Sequence, residues 1–303
     1  MKKSTIIIAL ISCSFLTVNA AKTPLYKNPS ATVEQRVDDL LHRMTLEEKI
    51  GQMNQTVSCE RVEDIAPYAD MVRKGHIGSF MNVYNQPLAD SLQRVALNES
   101  RLGIPILFGR DVIHGYKTIF PIPLGQAATF NPDIAREGAR VAALEASSDG
   151  VNWTFAPMID IARDPRWGRI AEGCGEDPLL TSVMAAAMVQ GFQGDDPSRP
   201  GSVAACAKHF VGYGAAEGGR DYNSTNLTER QLRQTYFPPF KAAADAGVLT
   251  FMASFNDNDG IPASGNRWLL SDVLHDERGF DGFVVSDCFS ITEMITHGFA
   301  EDR

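Results

Sequence analysis

Two spacings of apolar residues alternate along the chain. Short runs rich in β-branched and aromatic residues read as strands: Ile77 to Val83, Ile104 to Phe108, Val151 to Ala156, Val203 to Phe210, Val248 to Phe255 and Gly282 to Val285. Between them lie longer amphipathic segments at helical spacing, Asp133 to Ser147, Leu179 to Phe192, Glu229 to Ala246 and Arg267 to His275. Repetition of strand and crossover helix predicts a parallel sheet or barrel. Upstream, Val33 to Met53 carries Val37, Leu40, Leu41 and Met44 on one helical face, and Thr45 with Glu48 forms a capping box for a second turn.

The first twenty residues follow neither spacing. Lys2 and Lys3 precede an apolar run from Ile6 through Leu16, and Val18, Asn19 and Ala20 end it in the manner of a secretory cleavage site. Residues 1–20 are therefore read as a signal peptide, residues 21–303 as the mature domain, and the location as periplasmic or secreted. A second reading takes Leu10, Ile11, Ser12 and Cys13 as a lipoprotein box, with Cys13 lipidated and anchoring the protein to a membrane. No later segment reaches the ~20 apolar residues of a membrane span. The formal charge of −9 on 303 residues, with no concentrated basic stretch, argues against a nucleic-acid partner. Four cysteines follow the leader, Cys59, Cys174, Cys206 and Cys288. None has metal-ligand spacing, no HExxH occurs, and no cofactor is expected. The oligomeric state is left open.

Strand-like runs repeatedly end in ionisable groups: Phe108 leads to Asp111, Ala205 to Lys208 and His209, Phe283 to Asp287. A parallel barrel gathers strand C-termini at one mouth, so these groups would converge in one polar pocket. Asp287, directly after an apolar strand, reads either as a nucleophile on rigid backbone or as the N-cap of a segment near Phe289. Lys208 and His209 suit gripping vicinal hydroxyls or holding a carboxylate ionised; alternatively Lys208 pairs with an acidic neighbour. The run Arg163, Asp164, Pro165, Arg166, Trp167, Gly168, Arg169 offers guanidinium forks for sugar hydroxyls, some of them structural ties to Glu172 or Glu176. Asp111 can accept two hydrogen bonds from adjacent hydroxyls, or can be a turn residue.

The strings GRDVIHG (109–115), FPIPLG (120–125), APMIDIARDPRWGRIAEGCGEDP (156–178), KHFVGYG (208–214) and GFVVSD (282–287) resemble the N-terminal barrel of family 3 glycoside hydrolases, nearest to exported bacterial β-glucosidases. The resemblance runs collinearly from about Val33 to the last residue. It implies an α/β fold, a (β/α)8 TIM-like barrel, acting on terminal nonreducing β-glucosyl residues of oligosaccharides or glucosides by retaining hydrolysis. It further implies that Asp287 is the nucleophile forming a covalent glycosyl-enzyme, and that Asp111, Arg169, Lys208 and His209 hold the hydroxyls of the innermost sugar. Phe255 falls where the family often has Tyr, and Cys288 replaces an aromatic residue or His. Both departures bear on glucose against xylose, so a β-xylosidase is the alternative within the family.

The chain ends sixteen residues after Asp287 (303 − 287 = 16), whereas relatives of the glucosidase type continue into an α/β sandwich domain that donates the acid/base Glu. The expectation is a barrel incomplete before its last unit, with an open edge beside the Gly282 to Val285 strand. Glu217 and Asp221 are weighed as substitute acids and set below the missing Glu, because geometry precedes residue type. Two readings from other classes are a noncatalytic fragment that only binds carbohydrate and a metal hydrolase, the latter prompted by Asn256 to Gly260 (NDNDG), which a turn after the strand explains better.

Overall fold

The computed structural model describes residues 23–302, so the leader and Cys13 lie outside the described residues. The chain divides after Lys49 into two compact units. In the first, the helix Val33–Arg43 starts at a reciprocal capping box between Thr32 and Gln35. Asp39 Oδ2 accepts the Tyr26 backbone N–H at 3.0 Å, and Arg36 Nε donates to the Tyr26 carbonyl at 2.9 Å, tying the entering chain to the helix. The Thr45–Glu48 box forms as expected: Glu48 takes the Thr45 N–H, and Thr45 Oγ1 takes the Glu48 N–H.

The second unit holds seven parallel strands that neighbour one another in sequence order. They are β1 (Gln55–Val57), β2 (Ser79–Met81), β3 (Leu107–Arg110), β4 (Trp153–Thr154), β5 (Cys206–Phe210), β6 (Thr250–Ala253) and, after the hairpin β7 (Asp257–Asn258) and β8 (Ile261–Pro262), β9 (Phe283–Val285). Ladders join β1 through β4 and join β5, β6 and β9; parallel bridges Trp153–Ala204 and Met158–Lys208 connect the two groups. This is the strand arrangement of a (β/α) barrel wall. Among the described residues no ladder joins β9 to β1, and the edge expected beside Gly282 to Val285 is present.

Every residue of β5 and β6 is buried, as in a sheet covered on both faces. Inside the wall, Trp153, Phe155, Cys206 and Met252 form a cluster, and Trp153 Nε1 donates to Thr250 Oγ1 at 2.9 Å. The indole thus buries its ring without leaving its N–H unpaired. Outside the wall, Pro132–Ser148 packs against Pro178–Gln193 through Ala135, Ala139, Ala142, Ala143 and Ala146. The approach is close enough that a Cβ on Gly191 would stand 2.3 Å from the Arg136 carbonyl oxygen.

The structure corrects the strand reading at one place. The first strand, β1, was not anticipated, because Gln55, Thr56 and Val57 carry too little apolar contrast to register as a run. Two crossover helices, Ala66–Arg73 and Gln86–Glu99, were likewise not among the segments read as helical. The segments Leu232–Tyr236 and Trp268–Glu277 are π-helical inside stretches read simply as helix. Asn256 to Gly260 runs through β7 into the turn of the β7–β8 hairpin: Asp257 accepts from Ser224 Oγ and from the Gly260 N–H, and Gly260 has φ 77°.

Gly109 on β3 sets how tightly the interior closes, since an added Cβ would lie 2.5 Å from Phe155 Cζ. Gly109→Ala is expected to lower stability by about 1–3 kcal/mol through overpacking. Most of that loss should return when Phe155→Leu is added, and urea unfolding of the four proteins in the double-mutant cycle checks it.

Candidate active site

Parallel strands place all their C-terminal ends on one face, and the ionisable groups singled out above gather there. Asp111 directly follows β3, Lys208 and His209 lie on β5, Phe255 comes two residues after β6, and Asp287 two after β9. Their convergence follows from the alignment of the strands.

Lys208, almost wholly buried, places Nζ 2.6 Å from Oδ1 of the half-exposed Asp111. A buried ammonium needs such a partner. Arg169 is held by Glu172, with Nε–Oε1 2.7 Å and Nη2–Oε2 3.2 Å, and its guanidinium lies over the Tyr213 ring at 5.5 Å. Burial works against the Arg169 charge, but Glu172 more than offsets it and the pKa is raised. The Lys208 pairing and the Arg169 tie to Glu172 were both among the structural readings of these residues. Arg166, by contrast, folds back on Asp164, with Nη2–Oδ2 2.6 Å, and Trp167 Nε1 donates to Asp221 at 2.8 Å.

Asp287 keeps 13% of its side chain exposed. Its Oδ1 accepts the Cys288 N–H at 2.7 Å, while Oδ2 is buried without a hydrogen-bond partner and stands 3.4 Å from His209 Nε2. The carboxylate does not cap the following helix. Ser290–Thr296 has Phe289 at its N-cap with no side-chain cap bond, and the Ser290 N–H goes to the Asp287 main-chain oxygen at 3.1 Å. Burial pushes the Asp287 carboxyl up to about 6 against the opposing pull of the Cys288 N–H, Lys208 and Arg169.

His209 is fully buried. Its Nδ1 lies 2.7 Å from Asp160 Oδ2, and its backbone N–H donates to the same oxygen at 3.0 Å. Burial, with Lys208 and Arg169 nearby, drives its pKa well below 6.5, so the ring is neutral. Burial likewise pushes Asp160 up to about 7, with the His209 N–H opposing. Asp160 reaches this place because the chain after β4 stays in register with β5: Met158 bridges Lys208, and the Ile159 N–H donates to the Lys208 carbonyl at 2.8 Å.

The Phe255 ring lies 6.5 Å from the His209 ring and 5.8 Å from that of Tyr213, so the position lined by Phe255 is part of the same pocket. Tyr222, at φ 65°, sets its ring edge-on to Phe255 at 4.8 Å. Neither Asp160 nor Tyr222 was picked out from the sequence. Asp160 carried a usable signal, an apolar run from Phe155 to Ile159 ending in a carboxylate, obscured because the strand was read as ending at Ala156. Glu217 accepts from Asn226 Nδ2 within its loop, and Asp221 accepts from the buried Trp167 of the 163–169 run. Among the described residues no cluster of three or more His, Cys, Asp or Glu side chains is placed to hold a metal ion. Cys59, Cys174, Cys206 and Cys288 are free thiols.

The chain is 44% identical over 281 residues to the periplasmic beta-glucosidase of Salmonella typhimurium, covering 92% of this chain and 37% of that one. It is 33% identical to a beta-xylosidase of Formosa agariphila, over 100% of this chain and 38% of that one. The crystal structure of a beta-glucosidase from Listeria innocua in complex with glucose superposes with a TM-score of 0.84 at 42% identity, covering 89% of this chain and 40% of that one. The chain thus spans well under half the length of these relatives. The family model described as Glycosyl hydrolase family 3 N terminal domain matches residues 45–303, and together with the 44% identity over 92% of the chain this shows that the chain belongs to glycosyl hydrolase family 3.

Proposed function

We propose that this chain carries the nucleophile and the innermost sugar subsite of a retaining β-glucosidase that releases terminal nonreducing glucosyl residues. The observation that carries the reading is the Asp287 carboxyl at a strand end, largely withdrawn from water, with one oxygen bonded to a backbone N–H and the other without a hydrogen bond, 3.4 Å from His209 Nε2. Asp287 attacks the anomeric carbon, the bond to the leaving oxygen breaks, and a second carboxyl group about 5 Å away protonates that oxygen. Water then cleaves the glycosyl ester and returns Asp287 to its carboxylate form. Glu217 and Asp221 each accept a side-chain hydrogen bond, from Asn226 and from Trp167, and are not cast as that acid.

Asp111 and Lys208 hold each other, presenting an acceptor and a donor to adjacent hydroxyls of one ring. Arg169, anchored by Glu172, and His209 complete the subsite in this reading. With Phe at position 255, no hydroxyl at that position orients Asp287. The likeness to a beta-xylosidase makes the xyloside the comparison substrate. Export through the leader 1–20 accompanies this reading, supported by the name of the Salmonella relative.

Three outcomes are expected. First, an activated 2-deoxy-2-fluoro-β-glucoside labels Asp287, located by mass spectrometry of the peptide spanning Val285 to Ser290. Asp287→Ala lowers kcat by roughly three orders of magnitude or more, and EDTA leaves turnover unchanged. A label on another peptide would refute the assignment. Because only ionised Asp287 attacks, kcat/KM should hold above, and fall below, a pH near 6.

Second, the folded Asp287 binds its proton more tightly than an unfolded Asp of about 3.8, so its contribution to stability is present below pH 3.8 and lost as pH rises through about 6. Asp287→Asn should therefore raise Tm by a few degrees at pH 7.5 and show little effect at pH 4, read by calorimetry. Third, the mature N-terminus of the exported protein, measured by intact mass, is expected at Ala21; a diacylated Cys13 would place the protein on the membrane instead.

A further inference from the structure

Among the buried polar atoms without a hydrogen-bond partner, Asp160 Oδ1, His209 Nε2 and Asp287 Oδ2 belong to three side chains set in one line at the mouth, and Tyr213 Oη lies beside them. Asp160 Oδ2 meets His209 Nδ1 at 2.7 Å, and on the far side of the ring Nε2 meets Asp287 Oδ2 at 3.4 Å. A contact of 2.7 Å between a carboxylate oxygen and a ring nitrogen requires a hydrogen between them. The imidazole has only one to give, since burial keeps it neutral.

Two arrangements satisfy that count. With the ring proton on Nδ1, donated to ionised Asp160, Nε2 presents a lone pair to Asp287, and the approach is favourable only if Asp287 carries its own proton. With the ring proton on Nε2, Asp287 is ionised and faces that N–H across 3.4 Å, a gap that a small shift of the ring must close before a hydrogen bond forms, and the second proton resides on Asp160. The two differ by a concerted shift: Asp287 Oδ2 gives a proton to Nε2, and Nδ1 gives one to Asp160 Oδ2. Net charge over the three groups is −1 in both. The pocket therefore gains an ionised nucleophile without exchanging a charge with solvent, the costly step in a buried site.

We propose that Asp160 is a positioning residue for Asp287, acting through His209: its Oδ2 fixes the ring by two hydrogen bonds and serves as the sink for the proton that Asp287 must lose before it attacks. The proposal rests on the nucleophile reading of Asp287 given above. Desolvation supports it, because it raises both carboxyls into a common range, about 7 for Asp160 and about 6 for Asp287. The surrounding groups leave the pair to balance each other. Lys208 is paired with Asp111 and Arg169 with Glu172. Tyr213, Tyr222, Cys206 and Cys288 are all shifted upward by burial, so they stay protonated at neutral pH.

The test compares the wild-type chain at its natural length with Asp160→Asn, using 2,4-dinitrophenyl β-glucoside, whose leaving group needs no acid, so the rate follows attack by Asp287. An Asn oxygen can keep both hydrogen bonds from His209 but cannot accept the proton, which locks the ring as Nδ1–H. Expected are a fall in kcat of about 10- to 100-fold, KM within about twofold, and an acid limb of kcat/KM displaced to higher pH. A merely structural role would lower Tm and leave the limb in place, and an unmoved limb overturns the proposal.

Should Asp160→Asn fail to fold, the ring nitrogens of 15N-histidine-labelled wild-type protein decide the matter. Nitrogen shifts that place the His209 proton on Nε2 at the pH of full activity support the relay, and a ring that carries it on Nδ1 there overturns the relay. The outcomes separate the two readings. Failure of the fluoroglucoside to label wild-type Asp287 sinks the nucleophile and Asp160 with it; a labelled Asp287 with an unmoved limb sinks Asp160 alone.

Discussion

A carboxylate kept out of water must be compensated, and at the mouth of this barrel that requirement shapes the whole neighbourhood of Asp287. Its one firm hydrogen bond comes from the next residue's backbone N–H, its nearest ring nitrogen stands off at 3.4 Å, and the two cations within range are committed to other carboxylates. Burial therefore dominates and the proton is held more tightly than usual. The same arrangement leaves Oδ2 of Asp287 without a hydrogen bond.

That arrangement is only as good as the wall behind it. The bond from Trp153 to Thr250 crosses the interior, and the Gly109–Phe155 contact leaves no spare volume beneath the mouth. Interiors packed this closely do not deform continuously, so strand ends sit where the interior puts them. Register carries the rest: the pairing of Met158 with Lys208 is what delivers Asp160 to His209, 49 residues away in sequence.

The loop 213–228 is held from several sides. Asn258 Oδ1 accepts the Leu227 N–H, Asp257 accepts Ser224 Oγ, and Trp167 bonds Asp221. Glu217 and Asp221 each accept one side-chain hydrogen bond in this arrangement. The stretch NDNDG contributes in the same way, its acidic side chain being satisfied by a hydroxyl and a backbone N–H. Acidic composition alone did not make it a cation site.

Much of this was legible along the chain, and the limits are physical. Strands covered on both faces draw on apolar residues, so β5 and β6 stood out along the chain, as did the Phe-Val-Val run of β9, and an ionisable group at the end of such a run stands out by contrast. The collinear strings from Gly109 to Asp287 likewise carried the family, because they include the residues at the strand ends. Contrast failed where it was weak, at β1 with its Gln and Thr, and at Asp160, where the run was read as ending at Ala156. What spacing could not supply was partnership. Whether Lys208 faces Asp111, whether Arg169 is tied to Glu172, and whether the Asp287 carboxyl caps a helix or stands free depend on distances between strands set by packing. Residue type along one chain determined which groups arrive at the mouth; only the register of neighbouring strands decided which of them touch, because hydrogen bonds and desolvation act over a few ångströms of space and are blind to separation in sequence.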